Sequence, residues 1–219
     1  PACTSDARPN DPIGENAHAT VVLVARRGVV GECGKGTRFH RRRRALRDRL
    51  CTQQPTLVVA ELDPQNLICP LCIVDIKAKA ADEPNAMVEP EDIEAFTSAH
   101  GAIPQGACVA MNSGWQAKMG DASYRNDAEG NFAFPGFSKA ATDMLIEMGA
   151  GSIGVDTLSL DPGNSADFAV HYSWLPSGRF GIENLANLDE LPATGATLFV
   201  GAPKHRNGTG GPARVMAMI

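Results

Sequence analysis

From about residue 62 onward, short apolar runs alternate with clusters of Gly, Pro, Asn and Asp. This pattern is typical of buried strands separated by turns. It predicts strands over residues 67–80, 106–115 and 152–160, and a closing pair of strands joined by a Gly-rich turn in 196–219. The region therefore reads as one continuous folded unit.

Two segments carry helix signals instead, over residues 89–101 and 134–149. In the first, Pro90 and neighbouring acidic residues occupy the first turn and Gly101 ends the helix. In the second, Ser138 is a candidate N-cap and Gly149 ends the helix. Several strands with only two clear helices favour a mixed α/β domain over an all-parallel doubly wound sheet.

The front of the chain has a different character. Residues 1–20 are polar and Pro-rich, residues 21–25 could form one strand, and residues 26–49 hold eleven Lys, Arg or His with no amphipathic face. Residues 1–61 contain eleven Lys or Arg against six Asp or Glu, and the remainder contains nine against nineteen. We therefore divide the chain into an irregular, poorly ordered basic segment, 1–61, and a folded domain, 62–219.

Length and composition narrow the class of protein. A chain of 219 residues with 43% hydrophobic residues can bury the core of one domain. No apolar run approaches 18 residues, no targeting segment is visible, and six scattered cysteines do not form a disulfide framework. We expect a cytoplasmic protein that does not enter a membrane. The basic run lacks interleaved aromatic residues, so we expect no nucleic-acid partner, although a nucleic-acid contact is the alternative for that run.

His171 and Glu183 are the strongest candidates for chemistry. They lie at the edges of predicted strands, and an imidazole and a carboxylate separated by a structured turn can point at one divalent ion. A hydrogen-bonded structural His is the alternative. Asp156 could line a site or cap a loop, and we favour the loop.

Other residues carry weaker signals. Cys69 and Cys72 have zinc spacing, but no second pair completes a site, so we expect them in the core. His205 stands between Lys204 and Arg206, which favours an exposed position. Three residues at the end of the second predicted strand could contact a substrate or simply form a turn; they are Asn112, Ser113 and Trp115.

Several sequence motifs in residues 63–219 resemble those of the cyclase family of metal-dependent hydrolases. They are G-x-x-x-I-G-x-D-T-x-S-x-D, a following His, E-N-L-x-N-L-x-x-L-P-x-x-G-A and G-T-G-G-P-A-R-V. The resemblance implies a swivelling β/β/α domain with a mixed sheet, a homo-oligomer, and Zn or Mn as the divalent metal. It also implies hydrolysis of C–N bonds in small N-formyl or cyclic amides. In the kynurenine formamidase branch, a His and a Glu twelve residues later hold an ion, which implies that role for His171 and Glu183; the isatin-hydrolase-like branch lacks that Glu.

The front of the chain departs from the family pattern. The family carries the metal motif H-x-G-T-H-x-D-A-x-x-H-F, and this chain keeps Gly36 and Thr37 of it. Gly34 and Arg38 stand where two metal-binding His are expected, and His40 stands in place of the Asp. A frameshift over roughly residues 26–60 would explain the loss. A non-catalytic homologue, acting as an oligomerising or binding module, is the alternative to an enzyme.

Overall fold

A computed structural model describes the backbone of Val21–Val24, and all atoms of residues 58–206 and 208–219. The predictions for residues 1–20 and 25–57, including the family motif around Gly34, Arg38 and His40, concern residues outside this part of the chain. The part described forms nine strands and four α-helices. The strands are β1 (Val21–Val24), β2 (Ile68–Asp75), β3 (Met87–Val88), β4 (Cys108–Asn112), β5 (Gly136–Phe137), β6 (Ser152–Val155), β7 (Phe180–Glu183), β8 (Ala196–Gly201) and β9 (Gly210–Met218). The helices are α1 (Lys77–Asp82), α2 (Pro90–His100), α3 (Lys139–Glu147) and α4 (Ala169–Trp174).

Seven strands form one closed, mixed sheet in the order β1-β7-β6-β4-β2-β8-β9, and β9 pairs back with β1. Strands β2, β4, β6 and β7 are parallel neighbours, whereas β8, β9 and β1 join them antiparallel. Strands β3 and β5 form a separate parallel pair. The mixed α/β class predicted from the sequence is confirmed.

Burial explains which strands are central. Every residue of β4 and β6 is buried, as expected for parallel strands covered on both faces. Strand β9 instead alternates exposed and half-buried residues, so only one of its faces packs on the core. Alternate residues of β4 point to opposite faces: Val109 and Met111 pack with the helices, and Ala110 lies in a second cluster with residues of β7 and β8. The sheet thus separates two hydrophobic cores.

Several predicted elements keep their place but change their bounds. The predicted strand over 67–80 ends at Asp75, and helix α1 follows it. The predicted helix over 134–149 begins only at Lys139, because Gly136 and Phe137 pair with β3 and Ser138 caps the helix by accepting from the Ala141 N–H. Helix α2 and its end at Gly101, which has a φ of 88°, match the prediction.

Strand β1 lies inside the segment that sequence analysis sets apart as residues 1–61. Its backbone pairs with β7 on one side and β9 on the other, and Val58 and Val59 are also buried. Most of the segment is outside the described residues, so the boundary at residue 62 stays a prediction. None of the helices in the described ranges is long and apolar enough to cross a membrane.

Candidate functional site

Polar side chains collect at the carboxyl ends of the four parallel strands. Strand β2 ends in Asp75, β4 in Asn112 and β7 in Glu183, and Asp156 follows β6 directly. Parallel strands present these ends at one edge of the sheet, which is the usual place for ligand sites in α/β proteins. Glu183 is buried there, with 8% of its side chain exposed. The candidate site lies at this edge.

His171 reaches the same edge from helix α4. Its Nε2 lies 3.6 Å from Glu183 Oε1, so the structure brings together the two residues singled out from the sequence. Its Nδ1 lies 2.5 Å from Asp161 Oδ2. The ring therefore stands between two carboxylates, and 17% of the side chain remains exposed.

Asp161 fixes both the helix and the ring. The carboxylate accepts the backbone N–H of Val170 at 2.8 Å and that of His171 at 3.2 Å, as well as the ring contact at Nδ1. A helix of only six residues begins here without a local cap, because the preceding Phe168 has no capping side-chain hydrogen bond. Asp161 thus supplies from a distance the acceptor that the free N–H groups of a helix start require.

The electrostatics of the ring follow from these partners. Burial alone would lower the pKa of His171, but the hydrogen bonds and charges of Asp161 and Glu183 outweigh it and raise the pKa to about 9. A carboxylate on Nδ1 leaves Nε2 as the nitrogen that faces Glu183. This carboxylate–histidine arrangement is the one that orients histidine ligands in many metal sites.

Backbone strain also concentrates at this edge. Among the described residues, the non-glycine residues with positive φ are Phe168 at 55°, Asn184 at 62° and Asn187 at 60°. Phe168 precedes His171 by three residues, and Asn184 follows Glu183 directly. Left-handed backbone at a bulky residue costs about 1–2 kcal/mol, and such conformations cluster at functional sites. The Phe168 ring meets the His171 ring edge-on, with 5.9 Å between ring centroids.

The residues after β4 serve the loop rather than an open site. The Asp156 carboxylate accepts the Ser113 hydroxyl at 2.6 Å and the N–H groups of Ser113 and Trp115. Asn112 donates its side-chain amide to Asp189 at 2.9 Å. The structural role favoured for Asp156 is confirmed, and of the two roles open for Asn112, Ser113 and Trp115, the contacts favour the turn.

The remaining candidates also fall where expected. Cys69 and Cys72 are buried free thiols, and His205 is exposed. Over residues 58–206 and 208–219, no group of three or more His, Cys, Asp or Glu is disposed to hold a metal ion. The candidate ligands in that part of the chain are a pair only, His171 and Glu183.

Sequence reasoning missed the role of Asp161 and the contacts of Tyr124. Asp161 is the last residue of the motif G-x-x-x-I-G-x-D-T-x-S-x-D. The signal in the sequence was an Asp between an apolar run and Pro162-Gly163, and the structure shows that this Asp is buried. Tyr124 lies in an excursion of the chain between β4 and β5, the polar segment 116–131, which shows no hydrophobic periodicity. Its hydroxyl is 2.9 Å from the Asp156 carbonyl and 3.0 Å from Asn184 Oδ1.

Comparison with known proteins identifies relatives in sequence and in structure. The family model named Cyclase matches residues 34–162. An isatin hydrolase of Roseibium aggregatum is 32% identical over 163 residues, which cover 72% of this chain and 62% of that protein. The chain thus spans about three-fifths of the length of this relative.

Two solved structures illustrate the likeness of the fold. Isatin hydrolase A from Labrenzia aggregata, bound to benzyl benzoate, superposes with a TM-score of 0.71 and 35% identity, covering 74% of this chain and 65% of that chain. A potential metal-dependent hydrolase with cyclase activity gives a TM-score of 0.60 at 17% identity, covering 90% and 76%. These matches confirm the cyclase-family fold expected from the sequence words. The chain belongs to the cyclase family.

Proposed function

We propose that this chain is a metal-dependent hydrolase that cleaves the C–N bond of a small cyclic or N-formyl amide. The observation that carries the proposal is the approach of His171 Nε2 to Glu183 Oε1, with Nδ1 held by Asp161. The relationship to an isatin hydrolase supports a hydrolase. It does not by itself set the substrate, because the chain spans only part of that relative.

The donor set suits a divalent ion such as Zn²⁺ or Mn²⁺. Two donors on one tetrahedral ion with bond lengths of about 2.0–2.1 Å lie about 3.4 Å apart. The observed 3.6 Å between Nε2 and Oε1 is close to that value. His171 and Glu183 would hold the ion, and Asp161 would orient the imidazole.

A bound ion of this kind polarises an amide carbonyl and makes water a stronger nucleophile at neutral pH. The chain's own contribution is position. Asp161 keeps His171 turned towards Glu183, and the burial of Glu183 shields its charge from solvent. Phe168 places an aromatic ring beside the imidazole.

We consider two substrate classes, and a different observation favours each of them. The identity to isatin hydrolase favours a strained cyclic amide. Glu183, twelve residues after His171, favours the N-formyl amide of the formamidase branch. Hydrolysis rates with isatin and with N-formylkynurenine separate the two classes. We also propose that the protein works as a homo-oligomer, which sedimentation velocity would test.

The direct test is hydrolysis of both amides by the full chain with added Zn²⁺ or Mn²⁺. We expect a chelator to abolish turnover, and His171→Gln or Glu183→Gln to lower it at least about 100-fold, because second-shell changes alone cost 10–100-fold. His205→Gln, at an exposed His, is the matched control and keeps full activity. Turnover unaffected by the chelator or by both site variants would refute the proposal.

A non-catalytic homologue is the second candidate, favoured by Gly34 and Arg38 at positions where the family has His. A variant with Gly34→His, Arg38→His and His40→Asp distinguishes the two. We expect it to bind Zn²⁺ or Mn²⁺ more tightly than the parent chain and to hydrolyse faster. If the variant binds the ion tightly and still turns over neither amide, the binding-module role is the better account.

A further inference from the structure

Tyr124 connects three segments that meet at the site. It ends a 3-10 turn, Ala122–Tyr124, in the excursion between β4 and β5. Its hydroxyl lies 2.9 Å from the backbone carbonyl of Asp156 and 3.0 Å from Asn184 Oδ1. Its own carbonyl accepts the Trp115 indole N–H at 2.9 Å, which ties the excursion to the end of β4. Through its carbonyl and its phenol, Tyr124 therefore joins the loops that follow β4, β6 and β7.

The hydrogen atoms of this junction can all be assigned. A phenol carries one hydrogen, and the Asp156 carbonyl can only accept, so the phenol hydrogen goes to that carbonyl. The Asn184 amide can then present Nδ2 and donate to the phenol oxygen, since the two orientations of an amide have the same shape. Both contacts are satisfied at once only if residue 124 has a hydroxyl.

Asn184 forms the turn that directly follows Glu183. It follows Glu183 directly and has a φ of 62°, so the chain turns sharply out of β7 at this point. Its N–H donates to the Thr157 carbonyl at 2.9 Å, and the next N–H, of Leu185, donates to the Val155 carbonyl at 2.9 Å. The left-handed turn is thus held by backbone bonds to residues at the end of β6 and by the contact with the Tyr124 hydroxyl.

The phenol stays neutral in this setting and keeps its donor. Burial raises the pKa of Tyr124, and the nearby negative charges of Asp156 and Glu183 raise it further. The phenol therefore keeps its hydrogen for the Asp156 carbonyl, beside the turn that follows Glu183.

We infer that Tyr124 is a positioning residue that fixes the Glu183 carboxylate opposite His171 by holding the Asn184 turn through its hydroxyl. The inference rests on the proposed function only in what the positioned carboxylate does. The geometric part concerns the metal-free chain. It can therefore be tested separately from metal binding and turnover.

The experiment uses the full chain without metal, uniformly labelled with ¹⁵N so that both the histidine rings and the backbone amides are observed. The His171 ring resonances are identified by their loss in His171→Gln. The ring nitrogen shifts and the hydrogen exchange of the Asn184 and Leu185 amides are then compared in the parent chain, Tyr124→Phe and Tyr172→Phe. The chain has two tyrosines, and Tyr172 is an exposed residue of α4, so its variant is the matched control.

We expect Tyr124→Phe to shift the His171 Nε2 resonance and to speed exchange at Asn184 and Leu185 about tenfold, the effect of losing one buried hydrogen bond. The Tyr172→Phe spectra should match those of the parent. Asn184→Gly, which removes the amide but tolerates the positive φ, should shift the Nε2 resonance in the same way. The melting temperature, measured alongside, shows whether a change is local.

A Tyr124→Phe chain with parent-like Nε2 shift and parent-like exchange would overturn the inference, whatever the metal does. Co²⁺ added afterwards tests the proposed function by itself. An absorption band that appears in the parent and is lost in His171→Gln supports the ion site. If the band does not appear, the proposed ion site is wrong. The NMR comparison made without metal still decides the role of Tyr124.

Discussion

Asp161 performs two tasks with one carboxylate. It accepts two N–H groups at the start of α4 and one contact from the His171 ring, and it is almost fully buried. An ordinary N-cap satisfies amides of its own helix start from an adjacent position. Here the cap comes from nine and ten residues upstream, so the position of the helix and the direction of the imidazole are set together.

Replacing Asp161 should therefore cost more than the loss of a surface carboxylate. We expect Asp161→Ala to lower the free energy of unfolding by roughly 2–4 kcal/mol, because buried donors lose their acceptor. Asp167→Ala, at an exposed residue of the same segment, should stay within about 0.5 kcal/mol of the parent. Urea denaturation measures both. Equal effects of the two substitutions would show that the Asp161 contacts do not stabilise the fold.

The buried thiols give a prediction about pH. Burial, followed by the proximity of Cys69, raises the pKa of Cys72 to about 11. Alkylation requires the thiolate, so the fraction of reactive Cys72 is very small at pH 8 and grows as the pH rises towards 11. We expect iodoacetamide at pH 8 to leave the Cys72 peptide unmodified in the native chain and to modify it fully in guanidinium chloride. Rapid native modification at pH 8, seen by peptide mass spectrometry, would contradict this burial.

At the residue scale, the sequence indicated the pair of side chains that the structure brings together, but not the carboxylate that holds the imidazole. His171 and Glu183 were identified through their spacing in the family motifs, and the structure places His171 Nε2 3.6 Å from Glu183 Oε1. Their role as ligands remains a prediction. The part played by Asp161 could not be predicted, because a carboxylate that caps a helix from outside leaves no local N-cap pattern.

The elements were predictable where burial shapes the sequence. Strands β2, β4 and β6 are apolar runs because both of their faces are covered, and α2 and α3 carry conventional start and stop residues. Helix α4 lies outside the two segments that carry helix signals in the sequence. It has six residues, includes Val and two aromatic residues, and begins after Phe168 in left-handed backbone. Its helical state depends on tertiary contacts and not on propensity.

Strand β5 lies within the segment 134–149 that was predicted to be a helix. It forms where the backbone of Gly136 approaches the backbone of Asp161 and Pro162 closely. A Cβ on Gly136 would lie 2.4 Å from the Pro162 nitrogen and 2.5 Å from the Asp161 carbonyl carbon. The two-residue strand thus packs directly against the segment that carries Asp161. Only glycine leaves space for that backbone.

Substituting Gly136 should disturb this contact and, through it, the site. We expect Gly136→Ala to lower the free energy of unfolding by at least about 2 kcal/mol, because backbone must move to admit the methyl group. Gly130→Ala is the matched control: its Cβ meets nothing within 4 Å, and its φ of 84° costs only about 1 kcal/mol. Thermal and urea unfolding compare the two. A Gly136→Ala chain as stable as Gly130→Ala would show that this backbone is free to shift.

At the scale of the whole molecule, the closed sheet places all four parallel strand ends at one edge. Hydrophobic cores pack on both sides of the sheet, and Glu183 lies on a strand within it rather than on a loop. The fold class followed from the count of strands and helices. Closure of the sheet did not, because the pairing of β9 with β1 joins residues almost 200 positions apart and has no local signal.

The front of the chain decides whether the site is complete. The family model begins at residue 34, within the stretch where Gly34, Arg38 and His40 replace expected ligands. If a frameshift caused this, the second reading frame across codons 26–60 should encode the missing motif. Sequencing of that DNA tests the idea, and codons that cannot encode the motif in another frame would end it.

Binding of Zn²⁺ or Mn²⁺, measured by calorimetry on the metal-stripped full chain, tests the central claim most directly. If His171 and Glu183 converge on one cation, the parent chain takes up the ion, His171→Gln and Glu183→Gln each weaken binding at least about tenfold, and His205→Gln binds like the parent. Binding that is unchanged in both site variants, or that is absent from the parent chain, would contradict the account.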